Sequence, residues 1–241
     1  MPYYYGYGFD WTYLVLVLPC ILLSLWASST VNSTFKKYAK VLSSRHITGA
    51  DAAQRVLTAN GVRGVRIERV SGNLTDHYDP RTNVIRLSDS VYNSTSVASI
   101  GVACHEAGHA VQYAENYGPI KLRAAIIPVT NIGSKLAMPL ILLGMLLSFM
   151  GNFSYTIVYL GIACFGFSLV FQLVTLPVEF NASRRAMQAI EAGNILTQEE
   201  QHGARKTLKA AAMTYVAATA VALAQLLRLI VLFGGRRRRR D

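Results

Sequence analysis

Two long stretches without charge constrain the fold of this 241-residue chain more than any other feature of its sequence. No Asp, Glu, Lys or Arg occurs in residues 11–35 or in residues 136–178. An α-helix needs about 20 mainly apolar residues to cross a bilayer, so the first stretch can hold one membrane helix and the second can hold two. Residues 210–233 form a further apolar region, which only Arg228 interrupts. We therefore predict four transmembrane helices.

The composition agrees with a membrane protein, because 52% of the residues are hydrophobic and only 15% are charged. The net charge of +11 could suggest nucleic acid, but the basic residues flank the apolar stretches and do not alternate with aromatic residues on one polar face. Flanking charge of this kind is typical of contact with anionic lipid headgroups. We expect the lipid bilayer, and not nucleic acid, as a partner. The basic residues concerned are Lys36, Lys37, Lys121, Arg123, Arg184, Arg185, Arg205, Lys206, Lys209 and Arg236 to Arg240.

A helix is predicted in the polar region between the first two apolar stretches. Ser94-Thr95-Ser96 offers N-cap side chains, residues 97–114 contain no proline, and Asn116-Tyr117-Gly118-Pro119 is a strong stop signal. The sequence His105-Glu106-Ala107-Gly108-His109 lies in the middle of this helix. It has the HExxH pattern.

The HExxH pattern predicts a zinc site. Residues four apart lie on one face of a helix, so the imidazoles of His105 and His109 can reach the same ion, with Glu106 beside it. Neutral imidazole is a good zinc ligand, and a third protein ligand and a water would complete a tetrahedral site. Glu106 would act as the general base. The alternative is an ordinary helix whose histidines are buried or hydrogen-bonded.

Glu179 is the candidate for the third ligand. It is the first charged residue after the pair of apolar segments in residues 136–178, which should return the chain to the membrane face that it left after His109. A carboxylate there would complete the set of three protein ligands that a hydrolytic zinc site needs. The alternative is a glutamate at a helix start, where the helix macrodipole favours negative charge.

Two runs with strand character, residues 65–70 and 84–87, precede the HExxH helix. We expect a β-hairpin or two short strands beside that helix, with an exposed edge to which an extended peptide could bind. The connecting residues include Thr75-Asp76-His77-Tyr78-Asp79-Pro80. His77 is a candidate catalytic residue, although Asp-Pro is a common turn initiator and a loop histidine is often merely solvated.

Three segments together resemble the YugP-like neutral zinc metallopeptidases, which are membrane proteins of bacteria. These segments are His105-Glu-Ala-Gly-His109, Thr75-Asp-His-Tyr-Asp-Pro80 and Leu176-Pro-Val-Glu-Phe-Asn-Ala-Ser183. HExxH followed by a membrane hairpin and a Glu-Phe-x-Ala segment is also similar, more distantly, to the HtpX-type membrane proteases and the membrane CaaX prenyl proteases. The resemblance implies a gluzincin site with Zn²⁺ bound by His105, His109 and Glu179.

The chain departs from those distant relatives at one position, because Ser183 stands where they carry an aspartate four residues after the glutamate. That aspartate would be expected to orient a ligating histidine. Asp76 or Asp79 is the candidate to replace it.

The predicted fold class is a mainly α-helical integral membrane protein, with about four transmembrane helices and a small α+β zincin-like catalytic domain. The expected segments are an N-terminal transmembrane anchor in residues 1–31, a catalytic α+β region in 32–123, a transmembrane hairpin in 124–177, a third-ligand helix and loop in 178–209, and a C-terminal transmembrane helix with an arginine-rich tail in 210–241.

The sequence favours an integral membrane zinc endopeptidase that acts on protein or peptide substrates, membrane-associated ones among them, in membrane protein processing or quality control. One alternative is a metal-binding membrane sensor or transporter, but apart from Lys135 and Arg228 the predicted spans lack the ionisable residues that transport would favour. Another is an inactive membrane scaffold, against which Glu106 argues because metal binding alone does not require it. Nothing in the sequence indicates the oligomeric state.

Positive charge predicts the orientation in a bacterial cell membrane. Ten basic residues in three segments lie on the face that carries His105 and Glu179, and positive charge near span ends marks the cytoplasmic side. They are Lys40 and the nine residues named above between Lys36 and Lys209. We therefore expect the site to face the cytoplasm. Four spans would then place Arg236 to Arg240 outside, against the same rule, unless the last helix ends early near Arg228 or lies partly in the interface.

Cysteine accessibility tests this orientation. An Asn152→Cys variant should be labelled by a membrane-impermeant thiol reagent on intact cells, because residue 152 lies in the turn between the second and third spans. An Asn194→Cys variant should react only after the membrane is permeabilised. The opposite pattern would show that the site faces outward.

Overall fold

The computed structural model describes residues 10–234, and the Tyr- and Gly-rich start of the chain and its arginine tail lie outside this range. The described part is mainly helical. Its helices are α1 (a π-helical turn over Tyr13–Val17 that continues as α-helix over Leu18–Tyr38), α2 (Gly49–Ala59), α3 (Val97–Ala114), α4 (Gly118–Leu146), α5 (Asn152–Ala192) and α6 (Gln198–Gly234), and its strands are β1 (Arg66–Val70), β2 (His77–Asp79) and β3 (Val84–Ser88). A short 3₁₀ helix, Ser148–Met150, precedes α5.

The chain divides into two compact units. The apolar unit comprises, among the described residues, 10–26, 126–172 and 217–234. The polar unit comprises residues 27–125 and 173–216. Helices α1, α4, α5 and α6 each contribute one part to the apolar unit and one part to the polar unit.

Four helices in the described range are long and apolar enough to cross a membrane, namely α1 together with its π-helical turn, α4, α5 and α6. The sequence prediction of a mainly helical chain with four such helices is confirmed. Large apolar side chains such as Ile132, Leu146 and Phe149 are exposed on the apolar unit. Surfaces of that kind suit lipid and not water.

The second and third long helices form the expected hairpin. A Cβ atom added at Gly144 or at Gly161 would lie 2.8 Å from a backbone carbonyl oxygen of the facing helix, on Ser154 and Ala137 respectively. Glycine at these positions therefore allows α4 and α5 to pack almost backbone to backbone. Gly151 in the connecting turn has a φ of 62°, which glycine adopts without strain.

The polar unit contains a three-stranded sheet in the order β1-β3-β2. The two strands expected from the sequence are present, but the expectation of a hairpin between them is wrong, because β1 and β3 are parallel, with Arg66 opposite Val84. The connecting segment forms a strand of its own. Strand β2 pairs antiparallel with β3, with His77 opposite Arg86, and occupies one edge of the sheet.

The core of the polar unit surrounds α3, of which most residues are buried. Ser96, one of the N-cap candidates in the sequence, caps this helix by accepting a hydrogen bond from the backbone N–H of Ser99. Thr48 caps α2 in a capping box with Asp51. The apolar core includes Leu57, Ile85, Leu87, Ile100, Ile190 and Leu208.

Gly108 lets α3 approach α5 closely. A Cβ atom at this position would lie 2.9 Å from the carbonyl oxygen of Ala182 and 3.4 Å from its Cα. No side chain can be accommodated there unless one of the two helices moves. The small residue inside the HExxH motif is therefore required by the packing of the two helices.

We predict that Gly108→Ala will destabilise the protein by about 1–3 kcal/mol, the usual cost of overpacking a well-packed core. The movement of α3 away from α5 should also weaken zinc binding. Thermal unfolding and zinc content of the detergent-purified variant would measure both effects.

Gly166→Ala is the matched control, because Gly166 lies inside helix α5, as Gly108 lies inside α3, but a Cβ atom at Gly166 meets nothing within 4 Å. Equal unfolding temperatures and equal zinc contents of the two variants would contradict the close approach of α3 and α5 at Gly108.

Candidate metal centre

Three side chains from two helices meet in the polar unit. His105 and His109 lie on α3 and Glu179 lies on α5, and one potential ligand atom from each falls within 4.8 Å of the other two. The Oε2 atom of Glu179 lies 3.2 Å from Nε2 of His105 and 3.5 Å from Nε2 of His109. The structure therefore brings together the three residues that the sequence assigned to one site.

The two distances from Oε2 of Glu179 to the histidine nitrogens fit zinc. A tetrahedral Zn²⁺ ion lies about 2.0–2.1 Å from nitrogen and oxygen ligands, so two of its ligand atoms are about 3.3 Å apart. The two distances to Oε2 of Glu179, 3.2 and 3.5 Å, bracket that value. Two neutral imidazoles and one carboxylate are also a donor set that zinc uses in hydrolytic sites.

A hydrogen-bond network fixes the orientation of His109. Its Nδ1 atom lies 3.0 Å from Oε1 of Gln112, while the Gln112 side-chain amide donates to the backbone carbonyl of Val178 and to Oδ1 of Asn181. Because the Gln112 nitrogen is used as a donor, its oxygen must accept, so Nδ1 of His109 carries the proton. The lone pair of Nε2 is then available to a metal.

Ser183 has the corresponding position beside His105. Its hydroxyl oxygen lies 3.1 Å from Nδ1 of His105, which leaves Nε2 facing Glu179. The suggestion that Asp76 or Asp79 replaces the missing aspartate is wrong. Asp76 accepts hydrogen bonds from the backbone N–H and the hydroxyl of Ser88, and Asp79 is bonded to the turn that follows β2 and to Arg86.

Arg123 holds the other oxygen of Glu179. Its guanidinium donates a hydrogen bond of 2.7 Å to Oε1, and the carboxylate is almost completely buried. The hydroxyl of Tyr215, on α6, also forms a hydrogen bond with Glu179. With Oε1 bound to Arg123, Oε2 is the atom that remains for a metal.

The structure also shows that Glu179 does not lie at the start of a helix. Helix α5 runs without interruption from Asn152 through Pro177 to Ala192, so Glu179 lies far from the helix start. The macrodipole explanation for a glutamate at this position therefore does not apply.

Glu106 lies on α3 beside the three candidate ligands. Its carboxylate is buried and accepts a hydrogen bond from the backbone N–H of Tyr78 in β2. Burial raises the pKa of Glu106 to about 7, and the negative charges of Glu179 and Asp76 act in the same direction, while the charge of His105 lowers it. A carboxylate with a pKa near neutrality suits exchange of a proton with a substrate or a water.

His77 is placed differently from the other candidates. It lies in β2, its side chain is exposed, and its Nδ1 atom lies 2.8 Å from the carbonyl oxygen of Thr75. Among residues 10–234, the group of close potential ligand atoms contains His105, His109 and Glu179 but not His77. A catalytic role for His77 stays a prediction.

Sequence reasoning missed Gln112 and Arg123 as parts of this centre. Gln112 follows His109 by three positions and so lies on the same face of the helix, a signal that could have identified it. Arg123 was counted among the basic residues that flank a membrane helix. Its partner is 56 positions away in the sequence, and no local pattern indicates such a pair.

Comparison with known proteins identifies the family of this chain. The sequence profile of the family described as "Putative neutral zinc metallopeptidase" matches residues 13–234, and the chain belongs to this family. It is 47% identical over 221 residues to the "Putative membrane protease YugP" of Bacillus subtilis (strain 168), an alignment that covers 92% of this chain and 96% of that protein. The family resemblance seen in the three sequence segments is thereby confirmed. No solved structure matches the chain.

Metal content distinguishes Glu179 from His77 as the third ligand. Glu179→Ala removes an atom at ligand distance from both histidines and leaves Arg123 without its partner, so we expect the purified variant to lose zinc. His77→Ala should keep zinc at the wild-type stoichiometry. Elemental analysis after dialysis against a weak chelator would measure both, and loss of zinc from His77→Ala with retention by Glu179→Ala would reverse the assignment.

Proposed function

We propose that the protein is an integral membrane zinc endopeptidase of the gluzincin type, with a zincin-like catalytic region and with His105, His109 and Glu179 as the metal ligands. The observation that carries this proposal is the convergence of two Nε2 atoms and one carboxylate oxygen at zinc-ligand spacing, with the buried carboxylate of Glu106 beside them. Membership of a zinc metallopeptidase family supports it.

Zinc bound at this site would supply a Lewis acid that polarises the scissile carbonyl and makes a water molecule acidic near neutral pH. Glu106 accepts the proton from the attacking water and later donates it to the nitrogen of the leaving amine. The hydrogen bond from the Tyr78 backbone fixes the carboxylate of Glu106 relative to β2. Gln112, Ser183 and Arg123 orient the two imidazoles and the Glu179 carboxylate.

Strand β2 supports binding of an extended peptide at this site. It is an edge strand, it packs against α3, and the backbone of its Tyr78 lies near Glu106. A substrate that pairs with this edge through its own backbone would lie beside the general base. Such recognition depends mainly on main-chain hydrogen bonds, which suits hydrolysis of varied membrane-associated proteins in processing or quality control.

We place the site on the cytoplasmic side of a bacterial cell membrane. Four helices are long and apolar enough to cross it, and the relative in Bacillus subtilis is called a membrane protease. The basic residues of the segments that flank the polar unit support this orientation.

Replacement of Glu106 by glutamine tests the proposed reaction. We expect Glu106→Gln to retain zinc and the wild-type fold, because the shape of the side chain is unchanged. Hydrolysis of casein or a quenched fluorescent peptide should fall by a factor of about 10²–10⁴ or more, since general acid–base catalysis typically contributes that much.

Glu199→Gln is the matched control, since this exposed glutamate lies in the first turn of α6 and has no place in the proposed centre. Its activity should equal that of the wild type. Equal turnover by zinc-loaded Glu106→Gln would exclude the proposed mechanism.

A further inference from the structure

A groove lies between α5 and α6 in the polar unit, and the proposed hydrolysis does not account for its lining residues. Its volume is about 360 Å³. The α5 side is lined by Phe180, Arg184 and Met187, and the α6 side by Arg205 and Lys209. These positions are three or four residues apart on each helix, so each helix presents one continuous face to the groove.

The cations lie toward one end of the groove, where the apolar side chains of Met187 and Leu208 lie between them, and no cation of residues 10–234 lines the other end. The two helices are joined by residues 193–197, and Arg184, Arg205 and Lys209 lie nearer to this connection along the chain than Phe180 and Ala212 do. Phe180 and Ala212 lie nearer to the apolar segments of the same two helices. One end of the groove therefore offers hydrocarbon contacts, and the other end offers cations.

The three cations are exposed and lack acidic partners. Within residues 10–234, no carboxylate lies in ion-pair distance of Arg184, Arg205 or Lys209. Glu191 is the one acidic residue that lines the groove in this part of the chain. The basic character continues into a neighbouring cavity of about 440 Å³, which shares Arg205 and adds Arg45.

We propose that this groove binds the headgroup of an anionic phospholipid. The phosphate is bound by Arg184, Arg205 and Lys209, and the first part of the acyl chains lies against Phe180 and Ala212. An anionic amphiphile matches both ends of the groove, whereas an acidic peptide would match only the basic end. The position suits a lipid because α5 and α6 both carry long apolar segments that would cross the bilayer.

The groove also touches the candidate metal centre. Ser183 contributes to its wall, and the hydroxyl of this residue is hydrogen-bonded to Nδ1 of His105. A bound headgroup restrains the segment of α5 that carries both Ser183 and Glu179. Anionic lipid should therefore raise the thermal stability of the polar unit as well as bind to it.

Native mass spectrometry of the detergent-solubilised full chain can test this proposal. Phosphatidylglycerol and phosphatidylcholine with the same acyl chains would be titrated separately. We expect phosphatidylglycerol to bind at least 10-fold more tightly. The double variant Arg184→Gln/Lys209→Gln should lose about 10- to 30-fold of this affinity, because each basic residue near an anionic surface contributes roughly a factor of five.

Arg55→Gln/Arg63→Gln is the matched control, because it removes the same charge from exposed positions on α2 and just after it, away from the apolar stretches. Its affinity for phosphatidylglycerol should equal that of the wild type. If the groove variant fails to fold, as judged by circular dichroism, the single exposed variant Arg205→Gln gives the same comparison with a loss of about fivefold.

Three results would overturn the proposal. One is equal affinity for the two lipids, and another is equal loss of affinity in the groove and control variants. The third is displacement of phosphatidylglycerol by an acidic peptide at concentrations at which glycerophosphate has no effect, which would assign the groove to a peptide. Because zinc binding and hydrolysis are not measured, failure here would be separate from failure of the proposed peptidase activity.

Discussion

The Glu179 carboxylate is the group on which the rest of the polar unit depends. One of its oxygens accepts a hydrogen bond from Arg123 and the other lies beside both imidazoles of the HExxH helix. A buried carboxylate without such partners would cost several kcal/mol. Its interactions therefore favour one arrangement of α3, α4 and α5 within this unit, and that arrangement is the one a zinc ion can use.

Helix packing and hydrogen bonding both stabilise this arrangement. Gly108 allows the backbone of α3 to lie against Ala182, close to Glu179 along α5. Gln112 then links His109 to Val178 and Asn181 on the same helix. The histidines are thus held both by the distance between the helices and by the hydrogen bonds of their Nδ1 atoms, so that little reorganisation is needed when a metal binds.

Sequence patterns predicted the local parts of this structure well. The apolar stretches, the cap of α3 and the facing histidines depend on spacings of a few residues, and Glu179 could be inferred from where the chain returns after a hairpin. The parallel pairing of β1 with β3 and the contact between Arg123 and Glu179 could not be inferred. Both depend on which distant segments of the chain pack together. Local patterns of residues indicate helices and strands but not which of them come into contact. The exchange of the expected aspartate for Ser183 was visible, but its effect required the distance to His105.

X-ray absorption spectroscopy at the zinc K-edge of the zinc-loaded, detergent-purified protein tests the central claim most directly. The account predicts one zinc ion per chain with about four nitrogen or oxygen ligands near 2.0–2.1 Å and the multiple-scattering signature of two imidazoles. A sulfur ligand near 2.3 Å, a single imidazole, or no stoichiometric zinc after loading would contradict it.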